Sequence, residues 1–211
     1  LKDGAFCLSS GLEYEVGGYA STDEVVALAA VAAKHHAFYI SHIRDEADLA
    51  LDAMKELVDI GERAHVAVQN THIKVGTVGV WGKSPEVLKM FEAARARGVD
   101  VTADCYPWDA WSSTILVLIP SKKYDDPASV ARGLSDVGGA QNILITSYEK
   151  DPSYEFRTME EIAKKRGITP VDLFIEIAKN GGASVVAKSM MDEDIHSFLT
   201  RRSSDHRKSV V

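Results

Sequence analysis

Hydrophobic and polar positions in the first half of the chain follow two alternating patterns. Short runs of apolar, β-prone residues precede longer segments with apolar residues at helical spacing, and this unit recurs about every thirty residues. Such recurrence is typical of parallel strands joined by crossover helices, so it predicts an α/β fold. The predicted strands are GAFCLSS (4–10), AFYISH (37–42), HVAVQNTH (65–72) and VDVTADCYP (99–107).

Local signals place helices between these strands. Ser21 and Glu24 have the spacing of a capping box before the apolar run VVALAAVAAKHH. Residues 47–64 have apolar positions at helical spacing, and Ser84 followed by Pro85 is typical of a helix start. Each predicted helix therefore lies between two predicted strands, as a crossover connection requires.

The regular alternation ends after Pro107. The next segment, 108–141, is rich in turn residues, which predicts irregular structure. Beyond it, NILITS (142–147) and ASVVAKSM (183–190) are predicted strands, and residues 158–182 are predicted to form two helices interrupted by glycine and proline. This half of the chain is therefore expected to differ from the repeated first half.

The composition argues against some classes of binding partner. The chain has 211 residues, of which 45% are hydrophobic and 26% charged, and its formal net charge is −7. An acidic surface argues against a nucleic-acid or anionic-membrane partner, and no apolar run approaches the roughly 18 residues of a membrane span. The two cysteines, Cys7 and Cys105, are too few for a disulfide framework. We therefore expect free thiols and a cytoplasmic location.

Two histidines stand where the chemistry of a parallel α/β fold usually lies. His42 and His72 each close a predicted strand, and the two strands are consecutive. Active sites in such folds lie at the C-terminal ends of the strands, and neighbouring strands are about 4.8 Å apart. Two imidazoles there can share one zinc ion at about 2.0–2.1 Å from each nitrogen. The alternative is that each is an ordinary buried histidine with a hydrogen-bond partner, and the residues alone leave both interpretations open.

Six motifs resemble those of a known enzyme family. They are GAFCLSSGLEY, YISHIRDE, THIK, WGK, ADCYPW and SMMDEDI, and they extend from about residue 3 to residue 199. Their wording and spacing resemble the N-acyl-D-amino-acid deacylases, or D-aminoacylases, of the amidohydrolase superfamily. The resemblance implies an internal fragment of a TIM (β/α)8 barrel, from about strand 4 to strand 7, with an insertion after the strand that ends near Pro107.

The resemblance also implies three regions. Residues 1–107 would hold βα units of the barrel. Residues 108–190 would form an insertion that shapes the substrate pocket and then return towards the barrel. Residues 191–211 would be a truncated, disordered end, because RRSSDHRKSVV (201–211) is polar and basic and continues no pattern. Before it, DEDIHSFL (192–199) is a candidate for a short helix.

The resemblance assigns roles to four residues. The family's strand-end histidines ligate zinc, which implies that His42 and His72 hold Zn²⁺ here. A tyrosine and a lysine of the family contact the carboxylate side of a small N-acyl amino acid, and they correspond to Tyr14 and Lys74. A phenol donor and an ammonium group suit a carboxylate. Thr71 stands where serine is usual in the second histidine motif.

The implied reaction is hydrolysis of the amide bond of N-acyl-D-amino acids to a carboxylate and a free D-amino acid by metal-activated water. The family's catalytic aspartate lies downstream of the MMDE segment in an S-D-G context, and an H-x-H pair and a metal-binding cysteine lie upstream of the matched region. None of these corresponds to a residue of this chain. We therefore expect no catalytic residue in it, and we expect the polypeptide alone to be inactive and poorly soluble.

Two other functions remain open on the sequence. A hydantoinase-like or dihydroorotase-like amidohydrolase usually bridges two metals with a carboxylated lysine of the fourth strand, but GAFCLSSGLEY contains no lysine. A non-catalytic α/β binding domain would use its histidines only for structure. Metal content distinguishes this second alternative from an amidohydrolase.

Charged residues beside the motifs have structural interpretations. Arg44, Asp45 and Glu46 follow the first histidine, and we interpret them as an ion-paired start of the next helix. Asp104 and Cys105 end another predicted strand, at a position where a ligand would fit. The resemblance assigns no metal role to this cysteine, so we interpret Cys105 as a small core residue.

Overall fold

The computed structural model describes residue 1 and residues 3–200, and these form two compact units. The first unit comprises 1–75, 80–107 and the segment from Met191, and the second comprises 76–79 and 108–190. In chain order the strands and helices are β1 (Cys7–Gly11), α1 (Thr22–Lys34), β2 (Phe38–His42), α2 (Ala50–Ala64), β3 (Val68–Asn70), α3 (Ser84–Ala96), β4 (Val101–Ala103), β5 (Ala110–Thr114), α4 (Pro127–Asp136), β6 (Ile143–Ser147), β7 (Arg157–Thr158), α5 (Met159–Arg166), α6 (Pro170–Lys179), β8 (Ser184–Lys188) and α7 (Asp192–Thr200).

The first unit is built on a four-stranded parallel sheet in the order β1-β2-β3-β4. One α-helix lies between each pair of consecutive strands, so the predicted strand-helix alternation and the parallel arrangement are confirmed. β3 and β4 are shorter than predicted, because their mutual pairing stops at Asn70 and Ala103. His72 therefore lies two residues beyond β3, whereas His42 is the last residue of β2.

Apolar side chains of the sheet and the helices form the core of this unit. Tyr39, Val68 and Val101 belong to it and are at most 1% exposed. α2 contributes Met54 and Leu57, which are buried at the helical spacing that the sequence predicts. Full burial of a large apolar side chain contributes about 1.5–3 kcal/mol, so this layer holds the strands in register and fixes the positions of their ends.

Helix boundaries follow the sequence signals. The Ser21 hydroxyl accepts a hydrogen bond from the backbone N–H of Glu24 at 3.2 Å, and Pro85 lies in the first turn of α3. In the second unit, α5 and α6 are separated at Gly167, whose φ of 67° is a left-handed conformation that glycine adopts without strain. The prediction of two helices within 158–182 is therefore confirmed.

The second unit contains a four-stranded antiparallel sheet in the order β5-β8-β6-β7. The predicted strands at 142–147 and 183–190 correspond to β6 and β8. The expectation of irregular structure at 108–141 is wrong, because this segment contains β5 and α4. β5 pairs with β8 over five residues, and such a long-range pairing leaves no local pattern in a strand as polar as AWSST.

Helix α4 had a local signal that the sequence analysis missed. Asp126 precedes Pro127, and its side chain accepts a hydrogen bond from the backbone N–H of Ser129 at 3.1 Å. An aspartate cap before proline at the first helical position is a typical helix start. This signal lies in the run DDPAS, but aspartate and proline are equally typical of a turn.

The segment after residue 190 begins with α7, so the short helix in DEDIHSFL is confirmed and the expectation of a disordered end is wrong for these residues. Phe198 of α7 lies in the core of the first unit and is 8% exposed. Asp194 is 2% exposed, and its carboxylate accepts hydrogen bonds from the backbone N–H groups of Gly82 at 2.7 Å and Ser84 at 3.1 Å. These N–H groups lie at the start of α3, where a helix has no acceptors of its own. The rest of the expected disordered end, 201–211, lies outside the described residues.

Replacement of Asp194 by alanine is expected to destabilise the first unit by about 1–2 kcal/mol, because the start of α3 loses its carboxylate cap. Urea unfolding followed by circular dichroism measures this loss. Asp192→Ala is the matched control, since Asp192 is exposed in the first turn of the same helix. Equal effects of the two substitutions would contradict the capping role.

Among the described residues, no helix is long and apolar enough to cross a membrane. Cys7 and Cys105 are both free thiols, as expected. Burial, together with the nearby Asp104 carboxylate, raises the pKa of the Cys105 thiol. A thiol with a raised pKa is a poor nucleophile and a poor metal ligand, which fits the interpretation of Cys105 as a packing residue.

Candidate metal centre

The C-terminal ends of β1, β2 and β3 bring polar side chains together in the first unit. Gly11 at the end of β1 pairs with His42 at the end of β2, and Ser41 pairs with Asn70 at the end of β3. The segment after β1 carries Glu13 and Tyr14, and the segment after β3 carries His72 and Lys74. The parallel register therefore explains why residues far apart in sequence meet at one edge of the sheet.

The two strand-end histidines face each other, as the sequence analysis expected. His42 Nδ1 and His72 Nε2 are 2.9 Å apart, the ring centroids are 4.7 Å apart, and the ring planes meet at 71°. Both rings are partly buried, with 12% and 27% of the side chains exposed. The two facing nitrogens are therefore close enough to share a proton or to bind one metal ion.

A carboxylate, Glu13, lies on the far side of the first imidazole. His42 Nε2 and Glu13 Oε2 are 2.5 Å apart. Burial raises the pKa of Glu13, although the hydrogen bond from His42 acts in the opposite direction. When Glu13 is ionised it can only accept, and the proton of His42 then lies on Nε2 and leaves a lone pair on Nδ1.

A second carboxylate, Glu46, lies beside the other imidazole. Its Oε1 is 3.0 Å from His72 Nδ1, and its two oxygens are 2.7 and 2.8 Å from Lys74 Nζ. Burial alone would raise the pKa of Glu46, but the hydrogen bond with His72 and the charge of Lys74 outweigh burial and lower the pKa to about 2. Glu46 is therefore an anion inside the cluster, and together with His42 and His72 it forms a group of residues with metal-ligand chemistry, whose ligand atoms lie within 4.8 Å of one another.

The proton positions on His72 decide what this cluster can bind. In one arrangement Lys74 donates to His72 Nδ1 at 2.7 Å, His72 Nε2 donates to His42 Nδ1, and His42 Nε2 donates to Glu13. In the other, the proton of His72 lies on Nδ1 and is accepted by Glu46, so that Nε2 carries a lone pair. Two lone pairs then face each other with no proton between them, so a shared cation rather than a hydrogen bond would hold the two rings together.

The residues predicted to bind substrate lie beside the histidines. The Tyr14 ring centroid is 4.8 Å from that of His42, and 44% of Tyr14 is exposed. Lys74 is only 5% exposed, and its ammonium group lies 5.7 Å from the Tyr106 ring centroid in addition to its ion pair with Glu46. The structure thus gathers all four predicted site residues, and Lys74 carries an internal counter-ion that the sequence analysis did not foresee.

The run Arg44-Asp45-Glu46 divides into two structural residues and one member of the cluster. Arg44 forms two hydrogen bonds of 2.8 Å with Glu56, and Asp45 accepts from the backbone N–H groups of Ala47 and Leu49 at the approach to α2. The ion pair is therefore confirmed for Arg44, and the position at the helix start is confirmed for Asp45. The interpretation is wrong for Glu46, whose partners lie in the segment after β3.

Glu13 and Glu46 are the two members of the site that sequence reasoning missed. Glu46 follows His42 by four residues, but the segment between them is not helical, so this spacing gave no signal. Glu13 directly precedes Tyr14 in the GLEY motif, but its side chain had no partner that the sequence could identify.

Comparison with known proteins gives relatives of one kind. No protein-family model matches the chain. The chain is 41% identical over 126 residues to the N-acyl-D-glutamate deacylase of Alcaligenes xylosoxydans xylosoxydans, a match that covers 60% of this chain and 26% of that protein. This match is in keeping with the motifs found in the sequence.

Two solved structures resemble the chain over 94% of its length. A D-aminoacylase described as defining a novel subset of amidohydrolases has 31% sequence identity and a TM-score of 0.76, with 37% of that protein covered. The N-acyl-D-glutamate deacylase from Bordetella bronchiseptica, complexed with zinc and a phosphonate inhibitor that mimics the tetrahedral intermediate, has 26% identity and a TM-score of 0.78, with 38% covered. The chain therefore has an α/β fold similar to these enzymes and spans little more than a third of their length. The chain is therefore similar in sequence and fold to part of the N-acyl-D-amino-acid deacylases of the amidohydrolases.

Proposed function

We propose that this chain forms part of a zinc-dependent deacylase that hydrolyses N-acyl-D-amino acids to a carboxylate and a free D-amino acid, with His42 and His72 as zinc ligands. One observation carries the proposal: the facing nitrogens of the two imidazoles are 2.9 Å apart, and each imidazole has a carboxylate near its other nitrogen. A carboxylate behind a ligating histidine is the usual support of a zinc site, because it fixes the tautomer and the ring orientation. The zinc complex of the Bordetella relative is in keeping with this metal.

The residues fit a zinc ion in both chemistry and spacing. Two nitrogens that share a tetrahedral zinc at about 2.0–2.1 Å are about 3.3 Å apart. His42 Nδ1 and His72 Nε2, at 2.9 Å, reach that separation by a small rotation of either ring. Two histidine ligands leave other coordination positions for further ligands and for water, as a catalytic site requires. A bound zinc ion would polarise the scissile carbonyl and lower the pKa of a water molecule.

Tyr14 and Lys74 are proposed to bind the carboxylate of the substrate. The Tyr14 phenol can donate a hydrogen bond, and the Lys74 ammonium supplies positive charge. Because Lys74 is already paired with Glu46, the substrate carboxylate would share this cation rather than capture it. The proposed substrate is therefore a small N-acyl amino acid bound beside His42 and His72.

We also propose that β1 to β4 correspond to barrel strands 4 to 7 and that residues 108–190 are the insertion. Four parallel strands in sequential order, each followed by a helix or loop on the way to the next, support the first assignment. The antiparallel sheet within 108–190 supports the second, since it breaks the βα repeat. No described residue is assigned the proton transfer, for which the family resemblance requires an aspartate downstream of SMMDEDI.

Hydrolysis is tested on the protein encoded when the reading frame is extended on both sides of this chain. That protein is expected to contain an upstream H-x-H and a downstream S-D-G, and to release amino acid from N-acetyl-D-glutamate and N-acetyl-D-leucine but not from their L-enantiomers. The 211-residue chain alone is expected to be inactive. Equal rates on D and L substrates, or full activity after zinc is removed, would overturn the proposal.

Replacement of Tyr14 by phenylalanine is expected to raise KM for N-acetyl-D-amino acids by about 10–100-fold in the extended protein and to leave kcat within about threefold. The substitution removes only the hydroxyl, and a hydrogen bond to a charged group contributes about 1.5–3 kcal/mol. Tyr19→Phe is the control, since Tyr19 is also an exposed tyrosine and closes a short turn that holds none of the proposed site residues. An unchanged KM in Tyr14→Phe would exclude the carboxylate contact.

A further inference from the structure

The backbone of His72 has an unusual conformation for a non-glycine residue. Its φ is 43°, which is the left-handed region, whereas His42 lies within the regular strand β2. Side chains with a Cβ rarely adopt this region, and residues that do so need support from their surroundings. Because of this conformation the chain turns away from the direction of β3 at His72, two residues beyond the end of the strand.

Asp104, just beyond the end of β4, makes four hydrogen bonds to the segment that contains this turn. Its Oδ1 accepts from the His72 backbone N–H at 2.5 Å, and its backbone carbonyl accepts from the Ile73 N–H at 2.8 Å. Its backbone N–H donates to the Asn70 carbonyl at 3.2 Å. Its Oδ2 accepts from the Gln69 side-chain amide at 2.5 Å, which fixes the orientation of the carboxylate.

These contacts continue the hydrogen bonding between β3 and β4 beyond the point where regular pairing ends. Regular pairing of β3 with β4 stops at Asn70 and Ala103, so the next N–H groups of the turn need other acceptors. The Asp104 side chain and carbonyl take the two consecutive N–H groups of His72 and Ile73. A charged acceptor makes the His72 bond stronger than a neutral one would.

We propose that Asp104 is a positioning residue for the metal centre: it holds His72 in the left-handed turn from which its Nε2 faces His42 Nδ1. Asp104 acts on the backbone of His72 and does not touch the proposed metal position. Only one consequence of this role depends on the proposed function: metal affinity changes only if His42 and His72 bind a metal. The backbone contact itself can be measured in metal-free protein.

The test uses the 211-residue chain and the substitutions Asp104→Ala, Asp104→Asn and Thr102→Val. Alanine removes both carboxylate contacts. Asparagine keeps an acceptor for the His72 N–H, and its amide can donate to Gln69 if the Gln69 amide turns over. Thr102→Val is the matched control, because the Thr102 hydroxyl bonds the Val68 carbonyl across the same pair of strands without contact to the turn.

Two measurements separate the backbone contact of Asp104 from its effect on metal affinity. Amide hydrogen exchange in metal-free protein is expected to show loss of protection of the His72 N–H in Asp104→Ala and near-normal protection in Asp104→Asn. Titration with Co²⁺, followed by its visible absorption bands and then by zinc competition, is expected to show affinity lowered by about 10–100-fold in Asp104→Ala. Asparagine should recover most of this loss, and Thr102→Val should match the unsubstituted chain.

The outcomes distinguish a wrong inference from a wrong function. Metal affinity unchanged in Asp104→Ala, with metal bound by the unsubstituted chain, would overturn the positioning role and leave the proposed function intact. Unchanged protection of the His72 N–H would overturn the backbone contact. A chain that binds neither Co²⁺ nor zinc would overturn both the proposed zinc site and the consequence assigned to Asp104, whatever the exchange result.

Discussion

Replacement of His42 or His72 by alanine is expected to lower the zinc affinity of the chain by about a hundredfold. Structural zinc sites with four ligands bind with about 10–16 kcal/mol, so one ligand accounts for about 3 kcal/mol, or about two orders of magnitude in the dissociation constant. The facing nitrogens of these two residues supply the nitrogen ligands of the proposed site. Zinc bound after dialysis against a competing chelator measures the change.

The matched control is His35→Ala. His35 is an exposed residue that caps the C-terminal end of α1, so its removal takes away an imidazole without touching the cluster. Its affinity should equal that of the unsubstituted chain. Retention of stoichiometric zinc by His42→Ala or His72→Ala at chelator concentrations that the unsubstituted chain just withstands would assign the zinc to other residues.

The sequence was sufficient to predict the strands and helices that carry this site, because these elements depend on short-range patterns. Apolar periodicity identified the β-prone runs, and helical spacing between them implied parallel strands, whose C-terminal ends share one edge of a sheet. Once His42 and His72 were recognised near consecutive strand ends, their proximity followed from the register of β2 and β3. Tyr14 and Lys74 were named by the family resemblance alone, and the structure places them beside His42 and His72.

The carboxylates could not be predicted in the same way, because their roles depend on tertiary contacts. Glu46 follows Arg44 and Asp45 in a run that resembles any charged helix start, and Arg44 and Asp45 do serve that purpose. Only the position of Lys74, 28 residues further along the chain, makes Glu46 part of the cluster. The turn at His72 was equally hidden, since the β-prone pattern of 65–72 continues past the last paired residue.

Replacement of Glu46 by alanine is expected to destabilise the metal-free first unit by about 3–5 kcal/mol. Glu46 and Lys74 form an ion pair with only 16% and 5% of their side chains exposed, and both carboxylate oxygens contact the ammonium group. Removal of one partner of such a pair leaves the other charge buried without compensation. Urea unfolding in the presence of a chelator measures the loss without any contribution from metal.

An exposed ion pair of the same unit is the control. Lys83 and Glu86 are joined at 2.8 Å, but 43% and 55% of their side chains are exposed. Pairs of this kind contribute about 0–1 kcal/mol, so Glu86→Ala should leave the free energy of unfolding nearly unchanged. A loss in Glu46→Ala as small as that in Glu86→Ala would mean that water reaches Lys74 once the carboxylate is gone.

The double substitution Glu46→Gln with Lys74→Met separates the cost of an orphaned charge from the strength of the pair. Glu46→Gln leaves Lys74 without its anion, and Lys74→Met leaves Glu46 with His72 as its nearest partner. The double variant contains neither charge, so its destabilisation should be smaller than the sum of the two single losses by about 1–3 kcal/mol. If instead the losses are additive, Glu46 and Lys74 do not act as a pair. A substrate carboxylate would then not share the Lys74 ammonium group with Glu46.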